Sequence, residues 1–167
     1  MTDELRRKRP SHHVVHDYVN LISAAQEIQK GHKSPLNHHL FNSFVMHYRE
    51  FADFFANKRK RSGQKKGDRD MLAKDFVSRK IRYNLREWWK WEDHMNTHVF
   101  HLNTFRTRNS RPWSGHTEVP RMLEEFQAAW KTFFDALPDH LKAEFKEEIT
   151  LKRAPKSAFA DLDLYGS

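Results

Sequence analysis

The 167-residue chain contains no cysteine. That removes disulfides, thiolate metal sites and cysteine nucleophiles together, and it fits a reducing compartment. Glycine is scarce, at five residues. No Walker A loop, GxGxxG or GxSxG pattern occurs, so backbone phosphate cradles and the serine elbow are not expected. No apolar run approaches the roughly 18 residues of a membrane-spanning helix. The opening MTDELRRKRP is charged, with no apolar stretch behind it, unlike a secretory signal. A cytoplasmic protein without a membrane partner is the expectation.

What is present is positive charge and aromatic rings. Lys and Arg number 30 against 22 Asp and Glu, a formal net charge of +8. Such a balance favours polyanions, chiefly nucleic acid, through steering and counterion release. The length is that of one domain with room for a real core.

Periodicity points to helices throughout. Residues 1–10 read as a basic, frayed N-terminus. Pro10-Ser11 opens a first helix with Val14, Tyr18, Leu21, Ile22, Ala25 and Ile28 inward, and Gly31 stops it. Ser34-Pro35 starts a second, with Phe41, Phe44, Val45, Tyr48, Phe51, Ala52 and Phe55 on one face. Residues 57–70, NKRKRSGQKKGDRD, read as an exposed basic loop. A short helix is predicted from Met71 to about Ser78, capped by Asp70. A long one follows from Leu85 to Arg108, with Trp88, Trp91, Met95, Val99 and Leu102 as its apolar stripe and Trp89 outside it. Pro112 and Gly115 break the chain, Thr117 caps a helix over Glu118–Leu137, and Pro138-Asp139 begins the last. Residues 153–167 read as a flexible tail. The fold class is therefore all-α: a single-domain bundle of five to six helices over residues 11–152.

Three segments carry a family pattern: Ser43–Phe55 (SFVMHYREFADFF), Asp70–Phe76 (DMLAKDF) and Asn96–Arg106 (NTHVFHLNTFR). In order they resemble the His-x-Arg-x4-Phe, Asp-x2-Ala-x-Asp-Phe and Asn-x4-His-Leu-x3-Arg segments of a family of uncharacterised small bacterial all-helical proteins. The resemblance covers residues 36–137 and implies a helical bundle without naming an activity. Phe100 stands where a small residue is usual, and the basic insertion before Asp70 is longer. A looser likeness is to HEPN-type helical ribonucleases: Arg111 and His116 have their Arg-x4–6-His spacing, but Pro112 and Gly115 intervene.

The polar residues of these segments, His47, Arg49, Asp70, Asp75, Asn96, His101 and Arg106, form the candidate catalytic set. A His moves protons near neutral pH and an Arg stabilises charge on phosphate oxygens, so convergence of the set would suit phosphodiester cleavage. The same residues would equally make a buried network that locks helices in register. Whether the protein is an enzyme stays open on this reading. His94, His98 and His101 share a stripe at metal-ligand spacing, but no carboxylate joins them, so neither a metal nor another cofactor is expected. Lys58, Arg59, Lys60, Arg61, Lys65 and Lys66 are the candidate contacts to RNA or DNA, with RNA favoured. A non-catalytic protein-interaction module, or a homo-oligomer, is the further alternative.

Overall fold

The computed structural model describes residues 9–33, 36–56, 71–95 and 115–152. These form five helices and one 3-10 turn, and no strand occurs among them. The protein is an all-α bundle. In chain order the helices are α1 (Pro10–Gln29), α2 (Leu36–Ala56), α3 (Arg86–Met95), α4 (Gly115–Asp135) and α5 (Asp139–Leu151). No described helix is long and apolar enough to cross a membrane.

α1 carries Pro at its first position, where a missing N–H costs nothing. Its N–H and C=O ladder ends at Lys30, and Gly31 takes φ 73°, the left-handed value that glycine reaches without strain. The N–H of Gly31 donates to Ile28 O at 3.1 Å, so the chain reverses there. α2 then returns along α1, which sets Asp17 opposite His47.

α4 is the central element. Val119, Met122, Phe126, Ala129, Trp130 and Phe133 are buried along it on one face. Trp130 stacks on Tyr18 of α1 at 4.1 Å between ring centroids. Phe126 meets Phe51 of α2 at 4.9 Å, and Phe133 meets Phe54 at 5.2 Å and Phe145 of α5 at 5.8 Å. α2 and α4 therefore run the same way. Each of these rings contributes about 1.5–3 kcal/mol by leaving water, with edge-to-face and stacked geometry adding to that.

The structure corrects two sequence expectations. The helix predicted over Met71–Ser78 is only a single 3-10 turn, Ala73–Asp75. Asp75 is the cause: its carboxylate accepts from Leu72 N–H at 3.0 Å while its own N–H donates to Leu72 O at 2.8 Å, which closes the turn on itself. Leu72, Phe76 and Val77 are buried as the pattern required. α4 begins at Gly115, ahead of the predicted start at Glu118, and so carries Pro120 inside the helix. The glycine that was read as a breaker starts the helix instead, and Pro120 forgoes one i→i−4 bond. The Trp-bearing helix packs on α2 and α4.

Candidate functional site

Of the candidate catalytic set, His47, Arg49 and Asp75 fall among the described residues; Asp70, Asn96, His101 and Arg106 lie outside them. His47 is buried, and its Nδ1 stands 3.3 Å from Asp17 Oδ1 on α1. Arg49 is half-buried two residues further along α2, on a different side of the helix. Asp75 is exposed and tied into its own turn. The structure thus gives His47 and Asp75 separate partners. Lys58, Arg59, Lys60, Arg61, Lys65 and Lys66 lie outside the described residues, as do His98 and His101 of the histidine stripe. Among the described residues no group of three His, Asp or Glu side chains is placed to hold a metal ion.

The His47 seam is a three-residue cluster. His16 Nδ1 is 3.4 Å from the same Asp17 oxygen, and Asn20 Nδ2 lies 3.1 Å from His16 Nδ1. Burial, the largest influence, pushes the Asp17 carboxyl up, but hydrogen bonds and charge from His47 and His16 outweigh it and hold the group below the ordinary aspartate value of 3.8. A buried imidazole oriented by a carboxylate is what a general base requires. It is also a sound way to fasten two antiparallel helices.

A second polar centre forms where α2, α3 and α4 meet. α3 begins after Leu85, whose side chain cannot cap it. Glu125 of α4 caps it instead: one oxygen accepts from Glu87 N–H at 2.9 Å, the other from Trp88 N–H at 3.4 Å. The Tyr48 hydroxyl donates to Glu125 at 2.9 Å. A carboxylate at a helix N-terminus satisfies orphan donors and complements the macrodipole. Burial first, then the Glu125 charge and hydrogen bond, keep the Tyr48 hydroxyl protonated well above the ordinary tyrosine range. Trp91 Nε1 donates to Glu118 Oε2 at 3.2 Å, so α3 runs antiparallel to α4. Trp88 and Trp91 are 1% and 6% exposed and Trp89 is 40% exposed, the division that the spacing predicted.

Beside this junction lies a cleft of ≈ 470 Å³ between the Arg82–Asn84 link and α4. Tyr83 lines it. Burial pushes the Tyr83 hydroxyl up to about 12, against a smaller opposing influence from Arg79.

Comparison with protein-family models, curated proteins and solved structures finds no match to this chain.

A third polar contact joins α1 to α5. His12 Nδ1 meets the fully buried Glu148 at 2.9 Å. Ser11 bonds Glu144, Arg9 pairs with Glu147 at 3.2 Å, and Lys152 donates to His12 O at 3.0 Å. Sequence reading missed Glu125, Glu148 and Asp17 as organising groups. One signal was there for Glu148: it lies three residues after Phe145, on the face that the last helix buries.

Proposed function

We propose that this protein binds nucleic acid, RNA in preference, through positive charge clustered in a few segments of its sequence. One observation carries the reading. Outside residues 57–70 and 96–114 the sequence holds twenty Lys and Arg against twenty Asp and Glu, while the whole chain is +8. The excess falls in two internal stretches. Residues 57–70 hold seven bases and two acids, and residues 96–114 hold Arg106, Arg108 and Arg111 with no acid. A charge balance arising from general surface solvation would be spread along the chain; here it is clustered in sequence, as a polyanion contact requires.

Titration of a short single-stranded RNA against salt tests the reading. Affinity is expected to fall steeply as salt rises, with a log–log slope of roughly −4 if six phosphates are engaged. Replacing Lys58, Arg59, Lys60, Arg61, Lys65 and Lys66 with Gln should remove most of that slope. Absence of binding at low salt, or binding indifferent to salt, overturns the proposal.

The pairing of buried His47 with the partly exposed Asp17 favours one second reading, a ribonuclease-like activity of His47, Arg49, His101 and Arg106. There, His101→Ala abolishes cleavage of bound RNA while the thermal melt stays unchanged. Equal cleavage by both proteins removes it.

A further inference from the structure

Several cations on the helices are set against an acid: Arg9 against Glu147, Lys30 against Glu27, Lys131 against Asp135 and Lys142 against Asp139. The link from Phe76 to Leu85 is different. Arg79 and Lys80 are exposed there, and neither has a hydrogen-bond or ion-pair partner among the described residues. Both line a second cleft, of ≈ 380 Å³, which Lys74, Ser78, Val77 and Ile81 also line. The lining holds three positive groups and no carboxylate. Asp75, the acid nearest in sequence, stands outside it and accepts from Leu72 N–H. The Tyr83 hydroxyl is closed off from water and takes no part.

The core holds this link at both ends. Phe76 meets Phe54, Phe133 and Phe145 at 5.9, 6.0 and 5.8 Å between ring centroids. Tyr83 packs its ring on Phe55 at 4.6 Å, and Leu85 is buried. Arg79 and Lys80 therefore project from a tethered backbone, and less ordering entropy is lost when they engage a ligand.

Three cations around one cleft repel each other, and an anion between them relieves the repulsion. A guanidinium matches phosphate oxygens in forked geometry, an ammonium adds a point charge, and a serine hydroxyl donates to the same oxygens. Val77 and Ile81 give an apolar wall for the carbon face of a sugar. The volume sits at the low end of the range of about 300–1,000 Å³ usual for small-ligand sites. That suits one phosphate with its sugar and not a duplex. Sequence adds continuity: Lys74 comes four residues after the basic stretch 57–70, and residues 71–82 hold four bases against one acid.

We infer that this cleft seats a phosphodiester of a single-stranded nucleic acid on Arg79, Lys80 and Lys74, with Ser78 bonding a phosphate oxygen. The inference rests on the nucleic-acid reading above and extends the contact from the basic stretch onto a fixed part of the fold.

The experiment uses the full chain and end-labelled ten-nucleotide polyuridine RNA. Arg79→Gln combined with Lys80→Gln should weaken binding about tenfold or more and reduce the salt slope by about 0.7 to 1.4. Lys131→Gln combined with Lys142→Gln removes the same charge from ion-paired sites elsewhere and should change affinity by less than about twofold. All four positions but Lys142 are fully exposed, and a thermal melt checks that each fold is kept. Arg79→Lys should keep the slope, because the charge remains. Ser78→Ala should cost a few-fold with the slope unchanged, since a hydroxyl releases no counterion; undiminished affinity there overturns the serine assignment. Wild-type binding by the Arg79/Lys80 variant, or an equal loss in the Lys131/Lys142 variant, overturns the cleft inference. Weak binding by the loop variant would then leave the nucleic-acid reading standing. No RNA binding by the wild type overturns both.

Discussion

Asp17 and Glu125 are both carboxylates set between helices, yet their partners differ in kind. Glu125 is fed by two backbone N–H groups and a tyrosine hydroxyl, none of which changes charge near neutral pH. Asp17 is fed by two imidazoles, one buried and one exposed. The first is a fixed joint. The second is a joint that weakens in acid, as Asp17 takes up a proton. Similar chemistry at one atom therefore yields a permanent fastening in one seam and an adjustable one in the other.

Removing Glu125 should have the largest effect. Glu125→Ala strands the Tyr48 hydroxyl and uncaps α3, and about 3 kcal/mol of stability should be lost in urea unfolding. The loss should be level from about pH 5 to about pH 9. If Asp17→Asn costs as much, the contrast is wrong. Tyr48→Phe should cost about 1 kcal/mol, and it sharpens the same joint from the alkaline side. Folded Tyr48 holds its proton above the ordinary value of 10.0 while the unfolded chain releases it. Its contribution is therefore complete below pH 10 and fades as pH rises further. The alkaline limb of stability should be shallower in the variant.

Asp17→Asn should cost less than about 1 kcal/mol at neutral pH, because the seam is partly exposed. Since folding lowers the Asp17 pKa, its contribution is present above the ordinary value of 3.8 and is lost as pH falls through the folded value. Wild type and variant should therefore converge in acid, as melts across that range would record. The smallest effect belongs to His16→Ala, a few tenths of a kcal/mol. Carbon-detected NMR of the Asp17 carboxyl should show its titration moving back toward 3.8 in that variant.

The helices were legible because their apolar residues repeat. Tyr18, Phe44, Phe126 and Phe133 are buried for the reason that their spacing predicts. Trp89 was correctly separated from Trp88 and Trp91 by the same rule. The 3-10 turn was not legible, since Asp75 competes for its own backbone and the apolar pattern of Leu72, Phe76 and Val77 fits a helix equally well. Glu125 was hidden for another reason. It sits one residue before a core phenylalanine on an amphipathic helix, and nothing local distinguishes it from the exposed Glu124 beside it. Its partners lie 37 to 77 residues away. Candidate site residues were read from local motifs, whereas the partner of His47 comes from α1, a helix outside all three motifs.

The remote origin of the α3 cap has a consequence for how the chain folds. A helix whose first turn is satisfied from its own sequence can begin to form by itself; α3 takes its first-turn acceptor from α4 and lacks that provision. A peptide spanning it should stay coiled in water, and in the whole protein it should be among the last elements to gain protection from hydrogen exchange during refolding. α4 thus acts as the template on which the tryptophan helix assembles.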